Sequence, residues 1–223
     1  MIEDRDWPAA ELARLHAAVP ATYQAKAAAW DARRSRSFRE QPWIDRTVAG
    51  LRRRESVLDL GCGAGRPIAG YLIGRGFRVT GLDIAPAMLD IARSRYPDAA
   101  WVEGDMRVAP LPAGLGAIIG WDSAFHLSGA EQAVLIPRLV AHLRPGGRLF
   151  LTVGPAAGEA VGEVDGAALY HASLDPHAYT RLCREAGCAE AKVTVEDRAA
   201  DRRTVLLARR SGAAVRPIAG AAC

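Results

Sequence analysis

A chain of 223 residues, 50% of them hydrophobic, can bury one sizeable core, and its length argues against two full domains. No apolar run approaches the roughly 18 residues needed to cross a bilayer, and Glu3, Asp4, Arg5 and Asp6 do not lay out a signal peptide, so a soluble cytoplasmic protein without membrane attachment is expected. The net charge of +4 comes from arginines spread along the chain, with Lys26 and Lys192 the only lysines, which speaks against a concentrated nucleic-acid footprint.

From the start, residues 9–29 are alanine-rich and carry Leu12, Leu15, Val19 and Tyr23, a pattern for one helix or for two broken at Pro20. Trp30 and Asp31 close it. Pro42 then opens a further helix holding Trp43, Ile44, Val48 and Leu51. Arg33, Arg34, Arg36 and Arg39, and later Arg52, Arg53 and Arg54, read as solvated surface rather than as a phosphate track. Residues 56–83 follow as S-V-L-D-L-G-C-G-A-G-R-P-I-A-G-Y-L-I-G-R-G-F-R-V-T-G-L-D. Val57, Leu58 and Leu60 suit a strand buried on both faces, and Gly61, Gly63 and Gly65 turn the chain. Ile68, Tyr71, Leu72 and Arg75 recur at helical spacing, Gly74 and Gly76 end that helix, and residues 77–82 are a second strand closing on Asp83. The unit is β-α-β, with an acid at its second strand tip placed to accept hydrogen bonds from two ribose hydroxyls.

A nicotinamide or flavin turn reads G-x-G-x-x-G and needs a small residue in the sixth place, which here is Arg66. The run Asp59-x-Gly61-x-Gly63-x-Gly65 instead resembles motif I of the class I S-adenosylmethionine-dependent methyltransferases. The resemblance implies an α/β, doubly wound, mostly parallel seven-stranded sheet with its last strand antiparallel, a Rossmann-like fold preceded by a helical cap. It implies S-adenosyl-L-methionine as cofactor and S-adenosyl-L-homocysteine as product, held by Asp59, Gly61, Cys62, Gly63, Gly65 and Asp83. It covers residues 19–209, most of the chain. One methyltransferase domain over residues 1–210 is expected, with residues 1–50 as cap, 51–210 as core and 211–223 as a flexible tail. In the cap, Tyr23, Trp30 and Trp43 are candidate substrate-pocket aromatics.

After Asp83, Pro86 opens a helix with Met88, Leu89, Ile91 and Ala92, Tyr96-Pro97 ends it, and Trp101-Val102-Glu103 is a third strand. By the resemblance, Asp105 faces the adenine amino group, Ile84 and Met106 flank the ring, and Met88 and Trp121 complete the cofactor set. Residues 115–121 are the fourth strand, where Leu115-Gly116 lacks the acid the family usually carries. In a doubly wound sheet ligands lie at the carboxyl ends of the strands, so the next stretch, Asp122-Ser123-Ala124-Phe125-His126-Leu127, faces the reacting methyl. Asp122 is a candidate orienting carboxylate and His126 a candidate proton acceptor. Residues 131–143 form an amphipathic helix, with His142 answering the dipole at its end. The L-R-P-G-G turn, a further mark of the family, places a loop at 144–148 before a fifth strand at 149–153. Residues 154–173 read as an irregular, glycine-rich functional loop whose Tyr170 and His171 meet the methyl from the other side, Tyr170 as wall and His171 as a second proton acceptor. Helix 176–186 and strands 190–196 and 204–208 complete the sheet, and His16 and His177 read as surface residues.

No pair among Cys62, Cys183, Cys188 and Cys223 has zinc-knuckle spacing, so free thiols and no metal are expected. Asp122-Ser123-Ala124-Phe125 stands where base methyltransferases of nucleic acids carry Asn/Asp-Pro-Pro-aromatic, and the acidic pair of protein arginine methyltransferases and the magnesium set of catechol enzymes are missing. The expectation is methyl transfer to a nucleophilic atom of a small-molecule acceptor, with no nucleic-acid partner. A peptide or amino-group N-methyltransferase, suggested by Trp121-x-x-x-x-His126-Leu127, and a non-catalytic S-adenosylmethionine-binding regulator are the alternatives. The sequence does not fix the acceptor, the atom methylated, the use of a base or the oligomeric state.

Overall fold

A computed structural model describes residues 7–34 and 38–212; Arg36, Cys223 and residues 213–223 of the expected tail lie outside the described residues. The described residues run α1 (Ala9–Arg33), α2 (Gln41–Val48), β1 (Ser56–Leu60), α3 (Ile68–Gly74), β2 (Arg78–Asp83), α4 (Pro86–Arg95), β3 (Ala100–Glu103) and β4 (Leu115–Gly120). A short 3₁₀ turn (Ala124–His126) leads to α5 (Gly129–His142), β5 (Leu143–Val153), β6 (Gly158–Val164), β7 (Ala167–Ser173), α6 (Pro176–Glu185), β8 (Cys188–Asp197) and β9 (Arg203–Arg210). None of the helices among the described residues is long and apolar enough to cross a membrane.

Seven strands form one sheet in the order β3-β2-β1-β4-β5-β9-β8. The pairs among β1 to β5 are parallel, and β9, the last strand among the described residues, is antiparallel to both β5 and β8. Strand side chains alternate between faces, so Leu58, Ile118, Leu149, Leu151 and Leu206 share one core with α5 and α6, while Val57, Ile119, Phe150 and Val205 share the other with α2 and α3. β1 and β4 are neighbours, but the chain leaves them in opposite directions, to β2 and to β5. That divergence opens a crevice at their carboxyl ends.

α1 is continuous through Pro20. Pro20 has no N–H for the His16 carbonyl, yet the helix is held on both sides of it. Leu15 and Val19 pack on Leu169, Tyr170 and Ala172, and Ala27 packs with Ala64, Ala85 and Met88. β5 starts at Leu143, earlier than the expected 149, because Leu115 pairs with Leu143 and Ala117 with Arg148 around a bulge. Arg144 secures that bulge through its Nε and Nη2 to Glu55, at 2.9 and 2.8 Å.

The stretch expected to be an irregular loop, 154–173, is a β-hairpin. β6 and β7 pair antiparallel across Asp165 and Gly166, both left-handed with φ of 49° and 77°. Two central residues with positive φ make the turn that matches strand twist, and Asp-Gly is a preferred pair for it. The hairpin stands apart from the main sheet and lies against α1, to which Arg33 and Lys26 add ion pairs with Asp165.

Candidate active site

One cavity of about 460 Å³ lies at the carboxyl ends of β1, β2, β3 and β4. Its walls bring together Asp59, Gly61, Cys62, Gly63, Asp83, Ile84, Met88, Asp105, Met106, Trp121, Asp122 and His126 from the core, and Tyr23 and Trp30 from α1. Gly65 is not among the lining residues; it packs against Trp101 instead.

The glycine turn positions Asp83. Gly63 is left-handed at φ 52°, a Cβ there would sit 3.2 Å from the Trp30 indole, and its N–H donates to Asp83 Oδ2 at 2.8 Å. The Ala85 N–H, at the start of α4, donates to Oδ1 at 2.9 Å. Burial pushes the Asp83 carboxyl up, against the pull of these backbone donors. Asp59, only 3% exposed at the end of β1, is pushed up to about 7 by burial and then by the neighbouring Asp83 charge. Two crowded acids make the cavity receptive to a cationic ligand. Asp105 differs, since burial would raise it but hydrogen bonds from Arg107 hold its carboxyl below the ordinary range. Among the described residues no group of three or more His, Cys, Asp or Glu side chains is arranged to hold a metal ion.

On the opposite wall, the Tyr23 hydroxyl and His126 Nε2 are 2.8 Å apart, and His126 Nδ1 is 3.0 Å from the Tyr170 carbonyl. A carbonyl only accepts, so Nδ1 carries the ring hydrogen, Nε2 is bare, and Tyr23 donates to it. His126 is 8% exposed, and desolvation pushes it down to about 3, so the imidazole is neutral. Burial, then the charges of Asp122 and Asp83, push the Tyr23 phenol up. Asp122 is left-handed at φ 48°, and its N–H donates to Thr152 Oγ1 at 2.7 Å. Its carboxylate is gripped by Arg203 through Nε and Nη2, at 3.1 and 2.9 Å.

The methyltransferase-domain family model matches residues 57–147. A trans-aconitate 2-methyltransferase of Azoarcus sp. is 34% identical over 151 residues, 55% of this chain and 56% of that protein. A malonyl-[acyl-carrier protein] O-methyltransferase of Serratia marcescens is 36% identical over 121 residues, 50% of this chain and 45% of that protein. The 1,6-didemethyltoxoflavin N1-methyltransferase of Burkholderia thailandensis shares the fold at a TM-score of 0.69 and 20% identity, over 94% of this chain and 95% of that one. Residues 57–147 thus match a methyltransferase domain, and the chain has the fold of a solved methyltransferase. It spans about half the length of these two curated relatives.

Besides Gly65, three expected positions fall off the cavity, and a fourth, Asp122, lines it but is already paired. Trp43 is no pocket wall: α2 turns it to the sheet, where it stacks on Phe150 at 5.7 Å. Tyr170 is buried against α1, and its hydroxyl donates to Glu159, so only its backbone carbonyl reaches toward the site, through His126. His171 lies off the cavity, its ring over Gly162 and 4.7 Å from the ring of Phe125. Both follow from the hairpin, which fixes side-chain direction by strand alternation where an open loop would not. Asp122 does line the cavity, but Arg203 already neutralises it, so it is not a free anion for a cationic acceptor. Conversely, Arg34, read as solvated surface, lines the cavity and pairs with the buried Glu40. His16, Arg107 and Ser123 also line it. Nothing local in the sequence marks Arg203 or Glu40, whose partners are set by tertiary packing.

Proposed function

We propose that this methyltransferase moves the methyl group of S-adenosylmethionine to a nucleophilic atom of a small-molecule acceptor, with residues 1–50 as cap and 51–210 as core of one domain. The observation that carries the reading is continuity: the wall of Gly61, Gly63 and Asp83 and the wall of Tyr23, Trp121 and His126 enclose the same cavity. The donor set fits the cofactor. Asp83, fixed by two backbone N–H groups, has lone pairs left for two ribose hydroxyls. Ile84 and Met106 offer apolar faces to adenine, Asp105 an acceptor to its amino group, and Asp59 and Asp83 a negative field to a cationic ligand.

When bound, S-adenosylmethionine supplies an electrophilic methyl carbon that an in-line nucleophile can take. The chain's own residues contribute orientation, which is worth effective molarities on the order of 10⁵ M or more. Among the relatives, one is a trans-aconitate 2-methyltransferase and another a malonyl-[acyl-carrier protein] O-methyltransferase, while the fold neighbour holds 1,6-didemethyltoxoflavin. A cavity of about 460 Å³ supports the small acceptor. Thermal-shift measurements with S-adenosylhomocysteine and with NAD side by side test the cofactor, since a ligand that binds only the native state raises its melting temperature. A shift with S-adenosylhomocysteine alone is expected, followed by label transfer from methyl-labelled S-adenosylmethionine to a metabolite panel. Preference for NAD, or binding with no transfer to any acceptor, would overturn the reading.

A further inference from the structure

Tyr23 enters the cavity from α1, and His126 stands behind it on the turn after β4. His126 commits its Nδ1–H to the Tyr170 carbonyl and takes the Tyr23 hydroxyl hydrogen on Nε2. A phenol has one hydrogen, so Tyr23 Oη has only lone pairs left for whatever else shares the cavity. It can accept from an N–H or O–H and can donate to nothing. The charged side chains point the same way: Arg34 is paired with Glu40, Arg107 with Asp105 and Glu131, and Asp122 with Arg203. On that side of the cavity a carboxylate or an alkylammonium would have to break one of these pairs, while Asp59, Arg66 and Asp83 stand with the glycine turn, on the side the cofactor takes.

We propose that the methyl acceptor is an uncharged molecule whose nucleophilic atom carries a hydrogen, a phenolic or enolic hydroxyl or a non-basic ring N–H, docked as a donor to Tyr23 Oη. This rests on the methyltransferase reading of the cavity. In the transfer, the acceptor atom bonds the methyl carbon, and the carbon–sulfur bond breaks with its electron pair staying on sulfur. The acceptor's proton passes to Tyr23 Oη, and the hydroxyl proton of Tyr23 passes to His126 Nε2. The positive charge that began on the sulfonium ends on the imidazolium. Buried His126, held down at about 3, cannot strip an alkylammonium, whose proton is held at about 10. It can take the proton of the far more acidic cation formed when a neutral hydroxyl or lactam-type nitrogen is methylated. Tyr23 is the group that touches the acceptor, and His126 is a positioning residue that fixes which way the Tyr23 hydrogen points.

4-Nitrophenol tests this without the natural acceptor, because its anion is yellow, its neutral form is nearly colourless, and it titrates near neutral pH. It would be titrated into the protein with and without saturating S-adenosylhomocysteine. Binding with loss of colour is expected, at least tenfold weaker in Tyr23→Phe, and not displaced by a tenfold excess of trans-aconitate. His126→Phe frees the Tyr23 hydrogen for donation and should reverse the selection toward the yellow anion, whereas merely structural damage would weaken both forms alike. Binding of the anion by the wild type, displacement by trans-aconitate, undiminished binding by Tyr23→Phe, or no binding at all overturns the proposal. Calorimetry with S-adenosylhomocysteine on the same samples is read separately: failure there removes the methyltransferase reading, while success with the wrong colour change removes only the acceptor class.

Discussion

Asp83 accepts from the N–H groups of Gly63 and Ala85, so backbone geometry, and not rotamer choice, sets the direction of its free lone pairs. Hydrogen bonds to a charged group are worth about 1.5–3 kcal/mol, and on the proposed function two ribose hydroxyls are at stake. Asp83→Ala is therefore expected to weaken S-adenosylhomocysteine at least tenfold in calorimetry while circular dichroism stays native. Unchanged affinity would mean that the ribose is held elsewhere. Asp59 carries a different consequence. Its value rises from 3.8 to about 7 on folding, chiefly by burial, so the native state holds its proton more tightly than the unfolded chain. The stability tied to that proton is fully present below about pH 4 and is lost as pH rises through 7. Asn keeps an oxygen for the backbone donor at Ala69 but never ionises. Melts of the ligand-free protein should show Asp59→Asn gaining on the wild type between pH 5 and pH 8, and an equal difference at both would place the titration elsewhere.

Among the elements, the 3₁₀ turn that carries His126 is tied to its surroundings by a second buried side chain besides His126 itself. Gln132 Nε2 donates to the carbonyls of Leu127 and Ala172, at 2.7 and 2.9 Å, and its Oε1 accepts from the Tyr179 hydroxyl, joining that turn to β7 and α6. Gln132→Leu keeps the volume but strands two carbonyls, while the Tyr179 hydroxyl keeps Ser173 Oγ and the Leu174 N–H, a loss of about 2–4 kcal/mol in urea unfolding at roughly 1–3 kcal/mol per unmatched group. A loss below about 1 kcal/mol would show the carbonyls finding other donors. Such ties explain what the sequence could and could not reveal. The strand, glycine turn, helix and strand from Ser56 to Asp83 were readable because their signals are local: an apolar run, three glycines and a helical period. The hairpin had a local signal too, Asp165-Gly166 between apolar stretches, masked by the glycine content around it. The Asp122–Arg203 pair spans 81 residues and depends on β9 lying beside β5 with Thr204 opposite Val153, a register no short window contains. Trp43 shows another limit, since an apolar helix face looks the same in sequence whether it meets a ligand or Phe150.

Across the whole molecule, α1 is the element that joins the parts. It packs on the hairpin through Leu15 and Val19 and on α4 through Ala27 and Trp30. Polar ties reinforce both ends: His16 to Glu131 at 3.0 Å, Gln24 to the Ala87 N–H at 2.9 Å, and Asp31 to Arg95. Between those ends His16, Ala17, Pro20 and Tyr23 form cavity wall, so a ligand inside touches the core and α1 together. Binding then opposes every opening that lifts α1 from the core, since the ligand favours only the closed state. β8 supplies the contrast: it is the sheet edge separated from β4 by β5 and β9, and its amides exchange by local fraying that the cavity does not feel. Hydrogen exchange with saturating S-adenosylhomocysteine is expected to slow residues 9–33 and 61–65 several-fold and to leave 188–197 unchanged, with NAD slowing neither. Protection of the glycine turn without protection of α1 would show a cofactor seat that the N-terminal helix does not cover, and the cap assignment for residues 1–50 would fall.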